Sequence, residues 1–196
     1  LLLPKPHAAE SQLSSSRVDY FYFINKKSQG LVDIHGNTII PLTANQAILP
    51  PSDNMLRLAK VEKKQIAKAY YDLDAEVMVR ISSSEKGKFG AFSHNLAPVS
   101  LDDELFFIDK KGNKVIGGLS KAFLSNEGYR VVQKGSAFGA IDSTGAVVIP
   151  IEYTNSLTSV NNGRLGVQKN ASWFYVDMKG QIVSDKYDRI GNFHQG

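Results

Sequence analysis

Apolar residues recur along this chain in short groups broken by polar turns, and the groups keep a common spacing. In F-G-A-I-D-S-T-G-A-V-V-I-P, from Phe138 to Pro150, one apolar group ends at an aspartate and a second ends at proline. The same outline appears in Q-G-L-V-D-I-H-G-N-T-I-I-P at Asp33 and K-A-Y-Y-D-L-D-A-E-V-M-V-R at Asp72. It returns in L-F-F-I-D-K-K-G-N-K-V-I-G at Asp109 and W-F-Y-V-D-M-K-G-Q-I-V-S-D at Asp177. Successive aspartates stand 39, 37, 33 and 35 positions apart, so a unit of roughly 35 residues is copied in tandem. Before each aspartate stands a strand-former: Val32, Tyr71, Ile108, Ile141 or Val176. Six positions after it stands Ile39, Met78, Val115, Val148 or Val183.

The pattern predicts strand, tight turn, strand. Asp33, Asp72, Asp109, Asp142 and Asp177 open the turns, where a carboxylate accepts bonds from backbone N–H groups just ahead. Gly36, Gly112, Gly145 and Gly180 follow three residues later and supply the positive φ of a type I turn with a bulge; Ala75 stands there in the Asp72 copy. A second landmark, Asn54, Asn95, Gly128 or Gly163, precedes the next aspartate by 18, 14, 14 and 14 residues. The expected unit is therefore a strand, a turn such as N-A-S, a returning strand, the aspartate turn and a further strand. One unit has too little apolar surface to fold alone and must stack on its neighbours.

These phrases resemble the bacterial WG repeat family, named for a Trp-Gly pair ahead of I-D-x-x-G, an aliphatic pair and often proline. The resemblance covers about residues 18 to 196. Phe138-Gly139-Ala140-Ile141-Asp142 puts Phe in the tryptophan position; Trp173 keeps the tryptophan but Phe174 replaces the glycine; Gln29-Gly30 keeps the glycine alone; Lys68-Ala69 and Leu105-Phe106 keep neither. The resemblance implies an all-β array in exported or surface-associated bacterial proteins and brings no catalytic residues with it. The expected fold is thus all-β, tandem hairpin or meander repeats in a solenoid-like stack, with a β-propeller-like arrangement as the alternative. Residues 1–17 read as a lead-in or processed tail and 18–196 as one repeat domain of about five units, with N-F-H-Q-G opening a sixth.

Two segments test the register. N-M-L-R-L-A-K-V-E-K-K-Q-I-A-K-A-Y-Y-D-L, residues 54–73, has helical composition, and Leu58, Val61, Ile66 and Tyr70 approximate one helical face. The flanking landmarks instead demand a hairpin, with four extra residues in an E-K-K-Q loop. K-F-G-A-F-S-H-N, residues 88–95, is either a degenerate half-unit or a bare lead-in strand.

Charge changes the picture little. The chain has 23 Lys and Arg against 19 Asp and Glu, spread along its length. A nucleic-acid binder concentrates its charge on one element. No run of apolar residues is long enough to span a membrane. The absence of cysteine excludes disulfides and thiolate chemistry and fits cytosol and periplasm alike. L-L-L-P-K-P-H-A-A has the small residues of a processed secretory leader. The expected location is periplasmic, secreted or the cell surface.

Candidate chemistry is sparse. Asp72 and Asp74 form D-x-D, but a calcium site needs six to eight oxygens, and turns holding one carboxylate beside Lys110, Lys111 or Lys179 do not supply them. His7, His35, His94 and His194 fall in different columns of the repeat. Asp102-Asp103-Glu104 reads as a turn, and Gly117-Gly118 lacks a phosphate-cradling pattern. No metal, cofactor or enzyme activity is expected. Trp173 and Tyr175 share one face of a strand, with Phe174 on the other, while Tyr153 and Tyr187 open loops after the third strands. These four aromatics are the candidate binding residues. The first expectation is a protein partner on an extended surface; the alternative is a glycan or other cell-envelope polymer gripped by Tyr153 and Tyr187 in a common cleft. The sequence leaves oligomeric state open.

Overall fold

The computed structural model describes residues 20–62, 65–82 and 87–191, and every regular element among them is a β-strand. The first sheet holds β1 (Tyr20–Asn25), β2 (Ser28–Asp33) and β3 (Thr38–Ala44). The second holds β4 (Gln46–Ser52), β5 (Met55–Glu62), β6 (Gln65–Asp72) and β7 (Val77–Ser82). The third holds β8 (Lys88–Phe89), β9 (Ala97–Leu101), β10 (Glu104–Ile108) and β11 (Lys114–Leu119). The fourth holds β12 (Lys121–Asn126), β13 (Tyr129–Lys134), β14 (Ala137–Ile141) and β15 (Val147–Tyr153). The fifth holds β16 (Asn155–Ser156), β17 (Arg164–Lys169) and β18 (Ser172–Asp177), with bridges from Val176 to Ile182 and from Trp173 to Tyr187 in place of a regular fourth strand. Each sheet is an antiparallel meander in which sequential strands pair. Such a meander is the unit from which propeller blades are also made.

The sheets stack face to face in chain order. Leu31 and Ile40 of the first meet Leu56, Leu58 and Tyr71 of the second. Met55 and Tyr70 of the second meet Ala97, Val99 and Ile108 of the third. Leu96, Phe107 and Leu119 meet Val132 and Ile141 of the fourth. Val131, Ala140, Ile149 and Tyr153 meet Leu165, Val167, Phe174 and Val176 of the fifth. Side chains alternate across a strand, so Tyr70 and Tyr71 enter different layers, as do Phe107 and Ile108. An inner strand covered on both faces loses the polar half of its alternation.

Residues 54–73 form the hairpin. β5 and β6 pair from Met55 opposite Asp72 to Glu62 opposite Gln65. The expected E-K-K-Q loop needs correction, because the extra residues lengthen the ladder instead of the turn. Helical composition loses here because Leu56 and Leu58 must enter one layer while Met55 and Tyr70 enter the next. Residues 88–95 make the first strand of the third sheet, interrupted where the Gly90 N–H donates to the Pro98 carbonyl at 2.8 Å. The earlier three-strand unit is corrected likewise: a further strand precedes each Asn or Gly landmark in the second to fifth sheets.

Both landmarks are backbone devices. Asp53-Asn54, His94-Asn95, Glu127-Gly128 and Asn162-Gly163 all have positive φ, the two-residue hairpin turn whose twist matches the flanking strands. At the other landmark the Gly145 N–H donates to the Asp142 carbonyl at 3.1 Å, and Gly36, Gly112 and Gly180 repeat the bond. In the Asp72 copy Glu76 adopts φ 55° in place of a glycine, and Asp72 pairs with Val77. The surplus residue there lies in the turn, whereas the other well-paired copies absorb it as a bulge in the following strand.

Gly36 (φ 86°) and Gly145 (φ 87°) share this conformation but not their surroundings. A methyl group at Gly36 would meet nothing within 4 Å, whereas at Gly145 it would lie 2.5 Å from Cγ2 of Val115. Gly36→Ala is expected to cost about 1 kcal/mol, the backbone penalty alone. Gly145→Ala adds a clash with a stiff β-branched side chain and is expected to cost about 2 kcal/mol. Urea titration of both variants checks the order, and equal losses would contradict it.

Candidate functional site

The five aspartate carboxylates serve their own turns. Asp33 Oδ1 accepts the N–H groups of His35 and Asn37 at 2.8 Å each, and its Oδ2 accepts the Asn37 amide at 2.7 Å. Asp109 repeats this with Lys111 and Asn113, Asp142 with Thr144 and Ala146, and Asp177 with Lys179 and Gln181. Asp72 accepts from Asp74 and Ala75, while both oxygens of Asp74 accept from the Asn54 amide.

The side-chain amide of Asn37 holds the Asp33 carboxyl below its ordinary pKa. Burial pushes Asp109 and Asp142 upward, but bonds from Asn113 and Thr144 and from the turn backbones outweigh it, and both end lowered. A carboxyl depressed in the folded state contributes stability above its unfolded pKa, near 3.9, and loses it as pH falls through the folded value. Stability is therefore expected to decline below about pH 4. Asp142→Asn should flatten that decline, measured by urea midpoints between pH 5 and pH 2; an unchanged slope would contradict the assignment.

The aspartate turns and the two-residue turns lie along one rim, since Met55 faces Asp72 and Arg164 faces Asp177. Carboxylates bridge successive two-residue turns along it. Asp53 accepts the Asn95 N–H at 2.8 Å, and Glu127 accepts those of Asn162 and Gly163 at 2.7 and 2.9 Å. One position earlier, Ser52 donates to the Phe92 carbonyl at 2.5 Å and Asn126 to the Val160 carbonyl at 2.6 Å. The rim is thus spent on joining sheets.

Three of the four candidate aromatics come together. Trp173 and Tyr175 alternate along β18 on the face opposite Phe174, which is buried against the fourth sheet. Tyr187 stands directly across from Trp173, with backbone bonds of 2.8 Å in both directions, and is 45% exposed. The Tyr175 hydroxyl donates to the Gly191 carbonyl at 2.9 Å.

Tyr153 is the exception and corrects the common-cleft expectation. It ends β15 opposite Phe138, the same register as Tyr187 opposite Trp173. It is only 5% exposed, however, because the fifth sheet covers it; Phe174 packs edge-on at 6.2 Å and the Lys169 ammonium sits 5.9 Å from its ring centre. One repeat position is core in the fourth sheet and surface in the fifth.

The sequence reading missed a groove. The register of β12 on β13 shifts between Ala122 and Ser125, and the bulge turns Leu124 out to 87% exposure. Beside it lies a cavity of about 540 Å³ lined by Phe123, Leu124, Ser125, Asn126, Thr158 and Ser159. The Ser125 hydroxyl lies 2.7 Å from Nδ1 of His94, which also engages Ser93 at 3.2 Å. No hydrophobicity pattern flags a bulge, so Leu124 reads in sequence as an ordinary strand residue. His35 is exposed, and His7 and His194 lie outside the described residues. Asp102 and Asp103 form a turn, and Glu104 accepts from Lys114 at 2.6 Å and from the Gly118 N–H at 2.9 Å. Among the described residues no cluster of side chains could hold a metal ion, and no helix is long and apolar enough to cross a membrane.

Solved structures similar to this chain share little sequence with it. A eukaryotic initiation factor matches 87% of the chain at 10% identity and TM-score 0.35. Dipeptidyl peptidase 4 of Porphyromonas gingivalis matches 81% at 14% and 0.38, and Hsv2p of Kluyveromyces lactis matches 85% at 16% and 0.38. The chain spans 63%, 29% and 62% of those structures, less than two thirds of each. No curated protein matches the sequence. The family described as WG containing repeat matches residues 138–173 and 173–196, where the fourth and fifth sheets carry the aspartate turns of Asp142 and Asp177. Residues 138–196 thus match the model of the same family that the five aspartate phrases resemble.

Proposed function

We propose that this array is a non-catalytic interaction module whose partner is a protein. One observation carries the reading: Leu124, held out on a bulged edge strand beside the groove of Ser125, Asn126, Thr158 and Ser159. An apolar centre with hydroxyls and amides around it has the composition of a protein interface. Ser125, which lines the same groove, contacts His94, but among the described residues no carboxylate orients that imidazole, as a nucleophile–base pair requires. The glycan alternative loses its grip with the burial of Tyr153.

Affinity capture with the wild type and Leu124→Asp tests this. Leu124 packs on little, so the variant should melt like the wild type while retaining at least about tenfold less of the wild type's protein partners. Identical captures would refute the assignment of the groove. Glycan binding abolished by Tyr187→Ala would favour the polymer reading instead.

A further inference from the structure

Sheets that stack face to face cover one another's faces but not their edges, and the edges here are not alike. The strands β3, β7, β11 and β15 each end their sheet, and among the described residues no strand pairs with their outer sides. β3 and β15 carry Pro41 and Pro150, β11 carries Gly117-Gly118, and all three lose register against the strand before them. Proline and bulges are devices that keep an edge from pairing with another chain. β7, V-M-V-R-I-S, has neither along Val77–Arg80, which pair one for one with Asp72–Ala69; its register shift falls past Arg80.

We propose that β7 is a docking edge for an acidic, extended peptide segment of a partner protein, which adds to the second sheet as a further strand. In such an addition main-chain bonds along the edge give affinity, and the ground beside the strand selects side chains. A cavity of about 340 Å³ lies there, lined in part by Val77, Met78, Arg80, Lys110 and Lys111. The Asp109 turn forms its wall and sits close, since a methyl at Gly112 would lie 2.7 Å from Cγ1 of Val79. Val77 and Met78 are 51% and 40% exposed and give the cavity an apolar floor. Charge decides the occupant. Arg80, Lys110 and Lys111 make no ion pair among the described residues. The carboxylates nearby are committed: Asp72 to the Asp74 and Ala75 N–H groups, Asp74 to the Asn54 amide, and Asp109 to its own turn. Glu76 lies in the turn and does not line the cavity. Val79 and Ile81 pack towards the third sheet, so alternation puts Arg80 on the opposite face of β7 from Lys110 and Lys111. An added strand thus meets cations on both of its faces. A second copy of this chain fits badly, because β7 paired with β7 would bring the two sets of cations together. The site lies on a fourth strand and Leu124 on a first, so the two are independent.

The test uses the full chain and a short fluorescent peptide of Val and Thr that carries Glu on both faces when extended. Anisotropy should show saturable binding, about tenfold weaker for Arg80→Glu and for Lys111→Glu and unchanged for Leu124→Asp. Hydrogen exchange with the peptide present should slow at Val77–Arg80 and not in β3, β11 or β15. Both charge variants should melt like the wild type, since Arg80 and Lys111 are exposed; Arg80→Gln and Lys111→Gln, with a smaller loss, serve if either does not. No binding of the acidic peptide, equal binding of a version with Lys for Glu or with a central Pro, or protection that appears elsewhere would each overturn the proposal. Protection of β7 that grows with protein concentration alone would give the edge to a second copy and overturn it as well.

Discussion

Phe107→Ala is expected to lower the unfolding free energy by about 3–5 kcal/mol, the cost of removing a fully buried aromatic ring. Phe107 has no exposed surface and lies in the layer between the third and fourth sheets. Its ring also carries the guanidinium of Arg130, 4.8 Å from the ring centre. Arg130 is itself buried and donates to the Phe123 and Ser93 carbonyls at 3.1 and 3.3 Å. Burial pushes its pKa down, with Asp53 opposing, so the cation depends on its platform and its two carbonyls. Losing the ring leaves a cavity and strips one face from a charge that cannot reach water. Phe107→Leu keeps most of the volume and should cost about 1.5 kcal/mol.

The position of the lesion adds a second readout. In a stacked array, stability is close to a sum of unit terms and nearest-neighbour terms, so a weakened interface can uncouple the two sides. Trp173, the single tryptophan, lies in the fifth sheet and reports on the part beyond the damaged layer. In the wild type its fluorescence and far-UV dichroism should change together with urea; in Phe107→Ala they should separate. Coincident curves with a loss below about 1 kcal/mol would show that this layer does not hold the halves together.

Backbone requirements were the legible part of this protein. The aspartate–glycine turn and the paired positive-φ positions are properties of four or five adjacent residues, so four of the five phrases display the first and the second to fifth sheets display the second. The hairpin at 54–73 followed because Asn54 and Asp72 kept their order despite helical composition between them. The first strand of each later sheet was less visible, because it has no turn signature of its own. Gly117-Gly118 looked idle until the structure placed both in the bulge opposite Phe106. Where the third strand carries a large residue, the small ones move to the facing strand. The fate of Tyr153 was not legible at all. Whether it is core or surface is decided by Phe174, twenty-one residues later, arriving over it. The groove beside Leu124 was hidden for a similar reason, since a bulge is a relation between two strands.

The same relation explains why glycine and proline close the best-kept phrase, and it gives the second large prediction. Gly139 is buried in β14, and between Phe138 opposite Tyr153 and Ala140 opposite Ile149 the facing strand carries extra residues. Those residues fold over Gly139. A methyl there would lie 2.6 Å from the Ile149 carbonyl oxygen, 2.7 Å from that of Pro150 and 2.8 Å from Cα of Ile151. All three are backbone atoms, which cannot rotate aside. Pro150 suits the bulge because it has no N–H to leave unpaired. By propensity alone, alanine in a strand is better than glycine by about 0.5–1 kcal/mol. The contact reverses that sign, and Gly139→Ala is expected to destabilise by about 3 kcal/mol, the upper range for forcing an extra carbon into a packed site. Its midpoint in urea should fall with no change in slope. A neutral or stabilising result would mean that the bulge yields freely, and that glycine at this position answers to something other than the strand crossing it.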